Sequence, residues 1–434
     1  MNLIQDLRKY YTSVEGRVKP SGNITGTYTT PVNFKESLNC PIHRWYAYKE
    51  GFSPSFVKGF IQQYSSAPTN IVFDPYGGVG TTVLAANELG FEAYSLDVSP
   101  LGNFASRVKN AKYTKTDLKR LQETISRFNR YEPHFDDKYC ISKTVISYFH
   151  KETYEAIIGV RNFVDTIPEK KVKDIFMLAL LSDIESVSTH KKNGNGVKKK
   201  VHQPLPTPYN AFKELIISRL NVFVGDICNL NKTTNNQIID GSCIEDYRLP
   251  KKADIVLTSP PYANCFDYSK VYLVELWLGG FFKSQEDQQR FREKSVISHV
   301  HYRWKREDVA CVPIVESTIV PLLKERDLWS NSIPSMISGY FRDMKRCLIN
   351  LSKNINPGAT IGFVVGNPTY AGVVVATDLI IADIAESVGY NCQGITIYRK
   401  VVPSSQQTKL IEDCDQKYVR ESMVILKWPI LVMR

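Results

Sequence analysis

Apolar residues along the chain gather in short runs bounded by turn residues, and their spacing alternates between strand-like and helix-like periods. Asn70-Ile-Val-Phe-Asp74 reads as a short buried strand that runs into a glycine-rich turn. Thr81–Gly90 follows as a helix closed by glycine, and Phe91–Asp97 as the next strand. That is a β-α-β unit, the start of a parallel sheet with right-handed crossovers. Strand patterns resume at Gln237–Asp240, Ala253–Thr258 and Ala359–Val365. A helix at Thr377–Gly389 comes next, then strands near Gly394–Arg399 and Ser422–Lys427.

Two stretches interrupt the sheet pattern. Residues 112–235 read mostly as helices, at Tyr148–Val164, Val172–Ser188 and Ala211–Val224. Residues 281–335 read as polar and irregular. Residues 1–40, polar with Gly, Thr and Pro through 16–31, read as an N-terminal arm or irregular cap. No internal repeat is visible. The expected architecture is an α/β domain assembled from 41–111 and 236–434. It carries a helical insertion at 112–235 and a smaller one at 281–335.

Length and composition set bounds on this picture. With 434 residues, 43% hydrophobic, the chain can bury a large core, which excludes a disordered protein. The longest apolar runs are short, such as Ile175–Leu181, and the first eight residues alternate charge with apolar side chains. Neither pattern fits a membrane span or a signal peptide, so a soluble, cytoplasmic protein is expected. Nine scattered cysteines contain no CxxC pair and read as reduced thiols, with no metal site expected. His299 and His301 alternate on what reads as a strand, and without carboxylate or thiol neighbours they read as surface or core residues.

Charge adds a partner class. The formal net charge is +11, and residues 187–220 hold seven Lys and Arg against one acidic residue. A basic chain with one concentrated patch suits a polyanion, nucleic acid above all, though a solvated lysine-rich surface has the same composition.

Two motifs carry chemistry. In Phe73-Asp-Pro-Tyr-Gly-Gly-Val-Gly-Thr-Thr82, glycines let the backbone turn tightly against a ligand that faces a helix N-terminus. Asp97 ends the next strand, 17 residues after Gly80, a spacing that suits a carboxylate holding ribose hydroxyls. No Walker lysine follows the turn, which disfavours nucleotide hydrolysis. The second motif, Leu257-Thr-Ser-Pro-Pro-Tyr-Ala-Asn264, directly follows a strand. Its prolines remove two amide donors and delay any helix, leaving a hydroxyl, carbonyl acceptors and an aromatic ring at the sheet's carboxyl edge. Taken singly, each motif is equally a tight turn beside a core residue.

Together the two motifs closely resemble the S-adenosylmethionine-dependent DNA amino-methyltransferases, whose fold is a Rossmann-like, seven-stranded methyltransferase sheet. The resemblance covers 41–110 and 237–428. It implies that Asp74, Tyr76, Gly78, Gly80 and Thr81 lie against the cofactor S-adenosylmethionine, and that Asp97 holds its ribose. It also implies that Ser259, Pro260, Pro261 and Tyr262 hold the target base. Serine in the first position resembles the cytosine-N4 group, whereas Asp or Asn there is similar to the adenine-N6 group. His43–Pro54 resembles the segment at the methionine end of the cofactor, with Ser53 as N-cap offering free amides. Asp240-Gly-Ser-Cys243 resembles the segment that contacts the cofactor adenine, but Ser242 stands at the usual Asp position, which leaves Asp240 as substitute. Tyr418–Leu426 resembles the closing strand of the sheet.

The resemblance further implies a site-specific enzyme acting on a cytosine flipped out of double-stranded DNA, in a prokaryotic restriction–modification system. A cognate restriction endonuclease would share the target site without needing contact. Almost nothing follows the last strand pattern, so target recognition is expected from 112–235, with 281–335 as a second place for it. Lys191, Lys192, Lys198, Lys199 and Lys200 are the expected phosphate contacts. Adenine-N6 methylation, a non-catalytic nucleic-acid-binding protein that keeps the fold, and an RNA substrate are the competing readings. Cytosine-C5 methylation needs a cysteine after proline, and no Pro-Cys pair occurs in the chain.

Overall fold

A computed structural model describes residues 2–22, 32–194, 196–228, 235–301, 311–401 and 409–430. Its centre is a sheet of β1 (Ser21–Gly22), β2 (Ile71–Asp74), β3 (Glu92–Asp97), β4 (Asn236–Asp240), β5 (Ala253–Thr258), β6 (Ile355–Gly366), β7 (Asn391–Lys400) and β8 (Arg420–Lys427). The strands lie in the order β1-β7-β8-β6-β5-β2-β3-β4. Only β8 runs antiparallel to its neighbours; every other pairing is parallel. These are the seven expected strands with a two-residue eighth at one edge. All four residues of β2 are buried, as helices on both faces of a parallel sheet require.

The N-terminal region departs from the expected arm. Residues Leu3–Val18 form α1, and Leu7, Tyr11, Val14 and Val18 are buried in the main core. Their spacing of four, three and four is helical, and the charged residues between them hid it. The Tyr11 hydroxyl donates to the Val374 carbonyl at 3.0 Å and accepts from the Ala376 amide at 3.0 Å. Residues 281–335 also carry order that their polarity concealed. Gln285–Lys294 is a helix with a capping box at Ser284. Val312, Val315, Ile319, Leu322 and Leu323 pack into the same core as α1. Residues 302–310 of that expectation, and 23–31 of the arm, lie outside the described residues.

Between β3 and β4 the expected insertion is helical: α2 (Lys115–Asn129), α3 (Lys151–Asp165), α4 (Lys170–Val187) and α5 (Tyr209–Cys228) pack into one core that also takes in Trp45, Leu84, Leu101 and Trp277 from outside the insertion. A buried carboxylate adds a polar link to the sheet domain. Asp226, on α5, accepts from the Ile42 amide at 2.9 Å, the Trp45 indole at 2.9 Å and the Arg44 Nε at 3.1 Å. Trp45 stacks on Phe223 with ring centroids 4.4 Å apart.

A second buried carboxylate joins the two central strands. Asp74, 3% exposed at the end of β2, accepts from the Thr82 hydroxyl at 2.6 Å and the Thr258 hydroxyl at 2.7 Å. The Tyr76 amide donates to it at 3.0 Å. Burial raises its carboxyl to about 6, against the partial relief those donors give.

Two stability predictions follow from these carboxylates. Asp226→Ala leaves a buried amide and indole without an acceptor. It is expected to lower the unfolding free energy by about 2–4 kcal/mol, read from the urea midpoint; an unchanged midpoint would show that this carboxylate contributes nothing to holding the insertion. Asp74 is favoured in its protonated form in the folded state, so the stability this contributes is present below about pH 4 and lost as pH rises through about 6. Asp74→Asn has no such dependence. Its stability relative to the wild type therefore rises between pH 4 and pH 7, by up to about 3 kcal/mol, and parallel pH profiles would contradict this.

Candidate active site

The chain leaves β2 toward β3 on one side and leaves β5 toward β6 on the other, which opens a crevice at the carboxyl ends of these adjacent strands. The glycine-rich turn enters it from β2 and Ser259–Tyr262 from β5. A cavity runs along the turn, lined by Tyr76, Gly78, Thr81, Asp97 and Ser259 among others. Gly78 has φ +47°, and a Cβ there would meet the Tyr48 ring at 3.2 Å. Its amide donates to Asp97 Oδ2 at 2.7 Å, and the Ser99 amide to Oδ1 at 2.7 Å. Burial pushes the Asp97 carboxyl up, and the two amides oppose that rise. Each oxygen keeps further acceptor capacity toward the cavity.

Gly80 is a correction. It is absent from the cavity wall, and with φ +78° a Cβ there would meet the Ser106 hydroxyl at 2.1 Å. Its smallness serves helix packing behind the turn rather than a ligand in front of it.

A second cavity opens beside the first and is lined by Ser259, Pro260 and Tyr262. Pro261 faces the first. Glu50, Gly51, Phe52, Ser259, Phe266 and Tyr268 line both, so the two chambers share a wall. All four residues of the Ser-Pro-Pro-Tyr motif therefore gather where the chambers meet. The Ser259 hydroxyl donates to Tyr262 Oη at 3.4 Å, and the Tyr262 hydroxyl donates to Glu421 Oε1 at 2.7 Å. Arg399 Nε donates to the other oxygen of Glu421. Burial, together with the Glu421 charge, holds the Tyr262 phenol well above its ordinary range.

Other expected residues sit apart. Ser53 caps the helix Pro54–Tyr64, accepting from the Phe56 amide at 3.2 Å, while its neighbours Gly51 and Phe52 form the cavity walls. Asp240 turns away from the crevice. Its carboxylate accepts from Arg107 at 2.6 Å and Asn103 at 2.7 Å, and it is not in either wall. The expected substitute for the missing adenine contact is therefore not there. Ser242 does line the first cavity, and its hydroxyl donates to the Lys294 carbonyl at 2.6 Å.

That bond brings in residues that sequence reasoning missed. Phe291, Arg292, Ser298 and His299 complete the wall over Ser242. Arg292 donates to the buried Asp267 carboxylate at 2.7 Å, and burial lowers His299 to about 4, so it is neutral there. His299 is a buried wall residue, 3% exposed. No residue beside it in the chain signals this setting, which the fold creates by bringing the Asp267 carboxylate to the imidazole. Among the described residues no cluster of His, Cys, Asp or Glu could hold a metal, and no helix is long and apolar enough to cross a membrane.

The basic segment is an antiparallel hairpin, His190–Asn193 with Gly196–Lys199. Lys191 stands directly opposite Lys198, and both are exposed, as is Lys199. Lys192 is a correction: it points inward to Glu185 at 3.0 Å and to Glu275, and lies over the Tyr272 ring. A phosphate cannot reach an ammonium so enclosed. Lys200 donates to the Glu185 and Ser186 carbonyls at 2.7 and 3.1 Å. The Tyr272 hydroxyl in turn donates to Glu50, which connects the hairpin to the wall between the chambers.

No family model matches the chain. It is 25% identical over 435 residues to the Type II methyltransferase M.AvaI of Nostoc sp., covering 91% of this chain and 89% of that one. It is 26% identical to the Type II methyltransferase M.BsoBI of Geobacillus stearothermophilus, covering 87% and 84%, and 22% identical to M.MvaI of Kocuria varians, covering 83% and 84%. Solved structures that align with it include TrmN from Thermus thermophilus and the rRNA methyltransferase aviRa from Streptomyces viridochromogenes, at TM-scores of 0.28 and 0.30, too low to carry an argument. Over most of its length, a share too large to stop at the sheet segments, the chain is similar to type II methyltransferases.

Proposed function

We propose that the chain is a site-specific DNA methyltransferase that uses S-adenosylmethionine to methylate the N4 amino group of a cytosine flipped from duplex DNA, within a restriction–modification system. The observation that carries the reading is the pair of chambers that share Ser259. One has the features of a nucleoside site, and the other has room for a base. The similarity to type II methyltransferases supports the same conclusion.

The first chamber suits the cofactor on its own chemistry. Asp97 offers two carboxylate oxygens to ribose hydroxyls, Gly78 gives a backbone surface that a side chain would crowd, and Glu50 sets a carboxylate in a wall that also holds Tyr48, Phe52 and Tyr268. When bound, S-adenosylmethionine supplies an electrophilic methyl group on a positively charged sulfur.

The chain's task is then to present the amine. An exocyclic amino nitrogen is a poor nucleophile because its lone pair is delocalised into the ring. Ser259 Oγ and the Pro260 carbonyl, as acceptors for its two N–H bonds, favour a pyramidal nitrogen whose lone pair is free. Fixed acceptors and positioning supply the acceleration, with no covalent enzyme intermediate. Tyr262, Phe266 and Tyr268 give the second chamber aromatic faces for a base that has left the helix. Serine at position 259, rather than Asp or Asn, favours cytosine-N4 over adenine-N6.

Outside the chambers, Lys191 opposite Lys198 is a like-charge pair that destabilises a hairpin unless a polyanion lies across it. With Lys199, these are the phosphate-binding residues of the proposal, and the insertion 112–235 that carries them is its target-recognition unit.

Digestion of DNA methylated with isotope-labelled cofactor is expected to yield labelled N4-methylcytosine. Labelled N6-methyladenine would instead support the adenine reading, and no labelled nucleoside from a protein that binds the cofactor would leave a binding module. Replacing Lys191, Lys198 and Lys199 by Ala is expected to weaken DNA binding and to flatten the log–log salt dependence by about 0.9 for each phosphate no longer neutralised, with cofactor affinity unchanged. An unaltered slope would make the hairpin a solvated face.

A further inference from the structure

We propose that Tyr262 and Glu421 are the route by which the methylated amine loses its proton; the proposal rests on the function given above. When an amino nitrogen takes a methyl group, its lone pair becomes the new N–C bond, and the electron pair of the broken C–S bond stays with sulfur. The nitrogen is left with a positive charge and one proton too many. A neutral product requires that proton to leave, and a hydroxyl is a poor terminal acceptor.

The structure provides a directed chain from the site of reaction. Ser259 donates to Tyr262 Oη at 3.4 Å, and Tyr262 donates to Glu421 Oε1 at 2.7 Å. One proton therefore passes from the amine to Ser259 Oγ, the serine's own proton to Tyr262 Oη, and the tyrosine's own to the Glu421 carboxylate. Both hydroxyls are restored, and the balance ends as a neutral carboxylic acid. Glu421 lines the second chamber, from which it returns the proton to solvent after product leaves.

Placement distinguishes this carboxylate from a surface group. Its side chain is 5% exposed. It lies on β8, directly opposite Arg399 on β7, whose guanidinium balances its charge through the oxygen that Tyr262 does not use. The ring of Tyr262 lies close against the end of β6, where a Cβ on Gly366 would meet it at 3.0 Å. The ring is thus held by packing, so the Tyr262–Glu421 hydrogen bond is not needed to place it. Glu421 acts through Tyr262 and is a positioning and proton-accepting residue, whereas Ser259 touches the substrate.

The test compares Tyr262→Phe, Glu421→Gln, the double variant and Glu421→Asp in single-turnover methylation of duplex DNA, with cofactor and DNA affinities measured alongside. Tyr262→Phe keeps the ring and leaves the Glu421–Arg399 pair intact, and Glu421→Gln keeps an acceptor oxygen that cannot take the proton. Both single variants are expected to bind cofactor and DNA within about twofold of wild type and to slow the chemical step by about a hundredfold, as for loss of a general base. The double variant should be no slower than the slower single one, and Glu421→Asp should recover at least about tenfold over Glu421→Gln. A Tyr262→Phe variant at the wild-type rate, or losses that multiply in the double variant, would overturn the route. A wild-type protein that methylates no base in this assay would reject the function itself.

Discussion

Asp74 is a carboxylate with almost no access to water, and the relation between the two halves of the site depends on its hydrogen bonds. Thr258, which donates one of them, immediately precedes Ser259; Thr82, which donates another, lies in the first turn of the helix behind the glycine turn. One side chain therefore sets the glycine turn and the Ser-Pro-Pro-Tyr segment in a common frame. Main-chain pairing of β2 with β5 is short, at Val72–Ile255 and Phe73–Val256, and does not reach the residues that face the crevice. The carboxylate extends that register past the end of the ladder. A buried group of this kind carries a desolvation cost, and its retention at a strand end is understandable where position matters more than stability.

From that frame the remaining parts fall into place by ordinary packing. The shared wall between the chambers is made from segments far apart in the chain, Glu50–Phe52 and Phe266–Tyr268, and the hydroxyl of Tyr272 ties Glu50 to the insertion through Lys192. Asp226 fastens the same insertion at the other end, to Ile42, Arg44 and Trp45. The basic hairpin is thereby held to the wall of the site by enclosed polar contacts. In the proposed function, a face that meets DNA and a chamber that receives a base need a fixed separation, and these contacts give it a physical basis.

The strands, the crossover and the motif ends were legible because each depends on neighbours in the chain. Ala253–Thr258 occupies the span its apolar run predicts, and β3 differs from its prediction by one residue. Glycine turns and prolines after a strand act within a few residues, so Gly78, Asp97, Ser259 and Tyr262 could be placed at the crevice from sequence. The N-terminal helix was legible in principle, since Leu7, Tyr11, Val14 and Val18 keep helical spacing, but the polar stretch after it outweighed that signal.

What the sequence alone determined is the sheet, the helical insertion and the two ends of the crevice, because local periodicity and turn chemistry decide them. Only the tertiary structure decided what each polar side chain faces. Lys192 and Lys191 are adjacent lysines, yet one is enclosed by Glu185 and Glu275 and the other is exposed, since successive strand residues point to opposite faces. Gly80 belongs to helix packing and Asp240 to Arg107, although their motif positions suggested a ligand. Glu421 meets Tyr262 across 159 residues of chain. No local pattern encodes such a meeting, because it depends on the strand order that brings β8 beside β6 and on the burial that makes the hydrogen bond worth forming.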